Sequence, residues 1–402
     1  MSTRGFSNER LARMHERMSG YVERGEVPGI VTLLSRGGHT HVDAVGTLAL
    51  GDAAPMRRDS IFRISSVTKP ITAIAAMILV EECKLRLDEP VDRLLPELAA
   101  RRVLVRPDAE LDQTVPAKRP ITVRDLLTFR MGFGIVMLPP DTTPIQRAAT
   151  ALELQQGPPN PQHYPPPDEW MRRFGTLPLM HQPGEGWMYS TGADVLGVLV
   201  ARASGQSFPD FLRERVFEPL GMTDTAFFVP KDKQNRFATT YSTDFRTHAL
   251  TRFDGPADGQ WSTPPAFASG AAGLVSTVDD LLAVGTMMLG TGDDANRILS
   301  RTSIELMTTD HLPPTQRPAW GMQDDYFHTH GFGFGMSVVT RALDYSGSVG
   351  TFGWDGGYGT NWYCDPREGM VSILMTQAMW TSPSPPDVCQ DFRTLAYQAL
   401  DD

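Results

Sequence analysis

Cysteine is nearly absent from this chain. Three residues, Cys83, Cys364 and Cys389, lie far apart in 402. An odd and scattered set argues against a disulfide framework and reads as reduced thiols in a cytoplasmic protein. A basic surplus is also missing: 37 Lys+Arg against 47 Asp+Glu give a formal charge of −10. That argues against nucleic acid as a sequence-independent partner and against an anionic membrane surface. The apolar run Ile71 to Val80 is too short for a bilayer, which needs about 20 residues. Met1 to Arg10 carries no apolar core of a secretory signal. No Gly-x-Ser-x-Gly elbow occurs, so a Ser-His-Asp hydrolase built on one has no support. No His-Glu-x-x-His or paired cysteines accompany His39-Thr40-His41 or His328-Thr329-His330. Each pair would put two imidazoles on one side of a strand, yet solvated or core histidines explain them, and neither metal nor cofactor is expected.

What remains is the composition of a globular enzyme, 41% hydrophobic and 21% charged, long enough for two domains. Leu11, Met14, Met18, Tyr21 and Val22 predict a helix over Ser7 to Arg24, and Ile30–Ser35 and His39–Val45 predict a hairpin. A second hairpin-like piece follows through Gly46 and Gly51-Asp52. Helical patterns then dominate to about Gly285: Thr122 caps a helix ending at Gly132, and Ser207–Phe217 and Thr277–Leu289 are amphipathic. Leu138 to Pro183 is rich in proline and reads as an irregular excursion, either a lid or substrate wall or an ordered surface loop. Strands return at Gly333–Thr340, Asp344–Val349, Gly359–Asp365 and Met370–Thr376, and Asp387–Leu400 closes the chain as a helix. The expected class is α+β. Residues 1–65 and 286–402 form an antiparallel sheet flanked by helices, and 66–285 a mainly helical domain.

The chain is organised around Ser65-Ser66-Val67-Thr68-Lys69-Pro70 and the apolar run behind it. Residues three apart share a helix face, so the Ser66 hydroxyl and the Lys69 amine can touch. A helix apolar on every side is buried, and burial lowers a lysine's pKa until the amine can act as a base toward a serine. Ser-x-x-Lys also occurs by chance, so two further stretches matter. In Pro183-Gly184-Glu185-Gly186-Trp187-Met188-Tyr189-Ser190-Thr191, Tyr189 stands just ahead of an expected helix. Beside a lysine ammonium its phenol would have a lowered pKa and could relay a proton, though a half-buried structural tyrosine fits as well. In Gly350 to Thr360, the glycines permit close backbone approach to a ligand. The N–H groups of Gly357 and Ser66 could then form an oxyanion hole, or the segment could be a tight turn.

Together these stretches resemble the serine β-lactamase and penicillin-binding-protein superfamily. They are most similar to the class C β-lactamase-like carboxylesterases, the family VIII esterase type. The resemblance extends to Ile121–Thr128, Pro219–Thr225 and Gly273–Leu281. It implies a β-lactamase/transpeptidase-like fold, Ser66 as the acylated nucleophile, Lys69 as its base partner and Tyr189 as the proton shuttle. Which of Lys69 and Tyr189 takes the serine proton stays open. The Tyr-x-Asn of the β-lactamases is Tyr189-Ser190-Thr191 here, and their Lys-Thr-Gly is Trp354-Asp355-Gly356. A tryptophan in place of the lysine gives an apolar wall, and Asp355 would repel an anion. Trp354, Asp355, Gly356, Tyr358 and Trp187 are the expected substrate-binding residues, the three aromatics being either a partly aromatic pocket wall or packing residues. A small neutral ester with a short acyl chain is the expected substrate. An amide, a β-lactam or acyl transfer to an alcohol are the alternatives. Oligomeric state is not readable.

Overall fold

The computed structural model describes residues 5–401, apart from 155–156, 245, 248, 293–296, 317–325 and 344–346. The chain opens with helix α1 (Asn8–Glu23), then β1 (Gly29–Arg36) and β2 (His39–Gly46). The remaining sheet strands come from the other end: β3 (His330–Phe332), β4 (Ser337–Val339), β5 (Phe352–Gly356), β6 (Thr360–Asp365) and β7 (Met370–Thr376). They form one seven-stranded sheet in the order β2-β1-β7-β6-β5-β4-β3. Every neighbouring pair is antiparallel, with Leu33 of β1 opposite Ile373 of β7.

The period of two along β1 explains the layers. Ile30 and Leu34 face a core with Leu11, Met14, Met18 and Phe392, formed by α1 and the closing helix α5 (Asp387–Gln398). Val31 and Leu33 face the larger core on the opposite side. That side is covered by α4 (Val278–Leu289), where Trp362 of β6 donates its indole N–H to Leu281 O at 3.0 Å. Beyond it runs α2 (Thr68–Glu81), buried from Thr68 to Leu79 and packed against α3 (Thr191–Ser204). The fold is thus the β-lactamase/transpeptidase-like arrangement of helices and antiparallel sheet. A domain boundary at 285/286 falls inside α4, which packs on β1, β6 and β7. One continuous core, from Val31 to Leu126 and Leu199, runs through both parts.

Several local expectations change. The piece after Gly46 is only an isolated bridge, Thr47 with Pro55. The helix capped by Thr122 ends at Leu127, because Phe129 turns to φ +56°. The proline-rich excursion contains helices Pro144–Ala151 and Pro167–Gly175, each starting on a proline whose missing N–H costs nothing in a first turn. Ser207–Phe217 is an α-turn, Phe208–Leu212, that widens into a π-helix over Arg213–Phe217. Gly333–Thr340 is not one strand: β3 and β4 fold back on each other around Gly335, whose φ is +72°. Within the expected strand Asp344–Val349, residues 344–346 lie outside the described residues, and 347–349 are not extended. His328 sits in the short helix Tyr326–Thr329 and His330 in β3, so they share no strand face. Among the described residues no group of His, Cys, Asp or Glu could hold a metal, and no helix is long and apolar enough to cross a membrane. All three cysteines are free thiols, with Cys364 and Cys389 buried and Cys83 exposed.

Candidate active site

The segment before Ser66 is anchored from two sides. Arg63, fully buried, donates through Nε to Asp254 Oδ2 at 2.7 Å, and Thr360 Oγ1 donates to Ile64 O at 3.0 Å. The backbone then turns through Ser65 at φ +46°, a left-handed conformation that a serine adopts only when its surroundings impose it. A 3-10 turn, Ser65–Val67, leads into α2. Pro70 falls in the first turn of that helix, where its missing N–H would have no intrahelical partner. Ser66 and Lys69 meet as their spacing predicts: Lys69 Nζ donates to Ser66 Oγ at 2.8 Å and to Ala271 O at 2.7 Å. Lys69 is only 1% exposed. Burial pulls its pKa well below the ordinary lysine value, and nearby Asp194 opposes part of that shift.

Tyr189 joins them from the other side. Its carbonyl accepts from Ile135 N at 2.8 Å and from Thr191 N at 3.2 Å. The second bond closes a strained γ-turn through Ser190, at φ +80° and ψ −64°, just ahead of α3. The phenol oxygen accepts from Trp354 Nε1 at 2.9 Å, and the Lys69 nitrogen lies 4.5 Å from the ring centroid. The expected lowering of the tyrosine pKa does not occur. Burial pushes it up to about 12, and the bonds from Ser66 and Trp354 offset this only in part. The amine lies over the ring, and its charge does not offset the cost of burying a phenolate. Trp187 is not among the residues that line the cavity at Ser66. It stacks behind Tyr189 at 5.8 Å and packs edge-on against Phe327 and Phe332.

Strand β5 supplies the third side. The backbone N–H groups of Ser66 and Gly357 make no hydrogen bond among the described residues, and nothing stands within 4 Å of where a Gly357 side chain would begin. Gly356 does not line the cavity. A Cβ there would lie 2.1 Å from Thr360 Oγ1 and 2.4 Å from Ile64 O, the clasp that fixes the approach to Ser66. Gly356→Ala should therefore lower stability by about 1–3 kcal/mol through overpacking. It should also slow acylation of Ser66, which a thermal melt and the rate of covalent labelling would report together. Asp355 does not act as a bare negative charge. Arg393 of α5 pairs with its Oδ1 at 2.6 Å, and the Tyr363 hydroxyl donates to Oδ2 at 3.2 Å. The expected repulsion of anions is largely cancelled by that guanidinium. Tyr358 lines the cavity and donates its hydroxyl to Pro159 O at 2.9 Å, tying down the proline-rich excursion.

Ser66, Tyr189, Trp354, Asp355, Gly357 and Tyr358 open onto one cavity of about 480 Å³. The sequence reading missed much of its wall. Leu138, Pro158 and Pro159 of the proline-rich excursion do line it, but Ile135, Val136 and Met137 lie just before that excursion, and Met379 and Trp380 just after β7. An apolar tetrapeptide ending at Pro139-Pro140 was the available signal. Asp194 was missed as well, since nothing in its own stretch points to Lys69.

A family model described as beta-lactamase matches residues 14–395. Rv1367c, a protein of Mycobacterium tuberculosis, is 39% identical over 364 residues, which is 88% of this chain and 87% of its own. Esterase EstB of Burkholderia gladioli is 30% identical over 381 residues, which is 89% of this chain and 88% of its own. The solved structure of EstCE1, described as a hydrolase with promiscuous acyltransferase activity, matches with a TM-score of 0.77 at 26% identity, covering 97% of this chain and 99% of that one. With the fold, the matched length and these relatives in agreement, the chain belongs to the beta-lactamase family.

Proposed function

We propose that the protein is a serine esterase that cleaves small, neutral carboxylic esters through an acyl-enzyme on Ser66. The observation that carries this reading is the 2.8 Å contact between Lys69 Nζ and Ser66 Oγ in a site that desolvates the amine. A neutral Lys69 takes the serine proton as Oγ attacks the ester carbon. The carbonyl oxygen, now negative, receives the N–H groups of Ser66 and Gly357. The Tyr189 hydroxyl, its oxygen already accepting from Trp354, hands a proton to the departing alkoxide and regains one from Lys69. With the amine neutral again, water repeats the sequence on the acyl-enzyme and frees the acid. Tyr189, at about 12, is too weak an acid to be the resting base, which favours Lys69 for that part. The lining supports a neutral substrate: Asp355, the one charged side chain among the described residues that line the cavity, is paired with Arg393.

A second reading, acyl transfer to an alcohol, is favoured by the size of the cavity. About 480 Å³ leaves room for an acceptor beside a short acyl group, and EstCE1 is described as having such an activity. The test is a nitrophenyl ester series from acetate upward, run beside a chromogenic cephalosporin and repeated with an added short alcohol. Ester turnover far above cephalosporin turnover is the expected result. Cephalosporin turnover equal to that of the esters would overturn the ester reading, and a product mixture dominated by the new ester would establish transfer as the main activity.

A further inference from the structure

The second acceptor of Lys69, the Ala271 carbonyl, belongs to the loop Ser269–Ala272, and the side chains of Asp194 and Thr72 hold that loop. Asp194, in the first turns of α3, accepts through Oδ1 from Ser269 Oγ at 2.6 Å and from Ala271 N at 3.1 Å. Ser269 Oγ in turn accepts from Ala272 N at 3.1 Å. From α2, Thr72 Oγ1 donates to Gly270 O at 2.7 Å. Gly270 has no room for a side chain, since a Cβ would meet Ala193 O at 2.4 Å. The loop is thus clamped between the helix that carries Lys69 and the helix that carries Asp194.

A neutral acceptor such as asparagine could make both bonds to Asp194 Oδ1. A carboxylate that is 3% exposed and has no arginine among its hydrogen-bond partners costs more to bury, so the bonds alone do not explain it. We propose that Asp194 is a positioning residue for Lys69. It braces the Ser269–Ala272 loop so that the Ala271 carbonyl aims the amine at Ser66, and its negative charge acts on that amine across the loop. The proposal rests on the esterase reading and names what tunes its base.

Lys69 faces Ser66, the Tyr189 ring and Asp194; Asp194 faces Lys69, Ser269 and Tyr164. Tyr189 and Tyr164 are both pushed up by burial and stay neutral through the range that matters, leaving Lys69 and Asp194, whose carboxyl burial pushes up to about 6, as the pair that titrates. Asp194 favours the protonated amine, so removing its charge makes the free amine available at lower pH.

The experiment follows the rate at which a fluorophosphonate labels Ser66 as a function of pH, in wild type, Asp194→Asn and Asp194→Ala. Asn keeps an acceptor and loses the charge, so its acid limb should move down by about one pH unit, with the plateau rate within about tenfold of wild type. Ala loses the brace and should label about a hundredfold more slowly at every pH. An Asp194→Asn limb that coincides with that of wild type overturns the proposal. Carboxyl ¹³C NMR of the wild type tests the same point without a variant: an Asp194 that is ionised across the limb supports it, and one protonated throughout overturns it. Wild-type protein that takes no label at Ser66 at any pH overturns the esterase reading itself.

Discussion

Ser66→Ala is expected to lower ester turnover by about 10⁴-fold or more, because it removes the covalent route and leaves only the binding and oxyanion contributions. The fold should survive. Ser66 is buried at the head of α2, and losing its hydroxyl leaves Lys69 with the Ala271 carbonyl as an acceptor, so no donor is stranded completely. The thermal midpoint should then stay close to that of wild type while the mass increment from a fluorophosphonate disappears. Ser65 cannot stand in. It sits at φ +46°, and its residue three ahead is Thr68, whose hydroxyl accepts from Leu274 N at 3.2 Å and is no base. Turnover by Ser66→Ala at the wild-type rate would remove the mechanism altogether. A partial loss with labelling still present would move the nucleophile to another side chain.

How far the sequence could be read follows the range of the interactions involved. The Ser66–Lys69 contact was legible because it is local: three residues apart on a helix, with an apolar run that announces burial. The outer hairpin and the closing helix were legible for the same reason, as period-two and period-3.6 patterns that need no partner to be seen. Most of the misreadings depend on what arrives from elsewhere in the chain. Asp355 read as a lone anion because Arg393 lies 38 residues away on another element. Tyr189 read as an acidified phenol because its proximity to Lys69 was inferred, whereas the direction of its pKa is set by burial among residues that come from elsewhere in the chain. Trp187 and Gly356 were assigned to substrate by adjacency in sequence, yet one stacks behind Tyr189 and the other fills the gap against Ile64. The prolines of 138–183 looked irregular because proline is read as a breaker, although at a first helical position it is compatible with the helix.

Lys69→Met separates catalysis from stability more sharply than any other change in the site. Turnover should fall by about 10³–10⁴-fold, the scale of losing a general base, while label uptake at Ser66 becomes very slow and not zero. Stability should move the other way. In the unfolded chain the lysine titrates near its ordinary value; in the folded protein burial holds its pKa well below that. Between those two values the unfolded state binds a proton that the folded state does not, so the native protein is penalised there. The penalty is fully present once pH is below the folded value, and it disappears as pH rises through the ordinary lysine value. Methionine has similar length and no charge to desolvate. Its partner Asp194 is not orphaned by the change, since Ser269 Oγ and Ala271 N still donate to it. Lys69→Met should accordingly melt at or above the wild-type temperature at neutral pH. The gap should narrow as pH is raised toward the ordinary lysine value, because only the wild type gains stability from its lysine over that interval. Melting curves of both proteins from neutral to alkaline pH measure this directly. A variant that is less stable at neutral pH, by a margin that stays constant as pH rises, would mean that the amine is charged in the folded state and held there by Asp194, and the base would have to be sought elsewhere in the site.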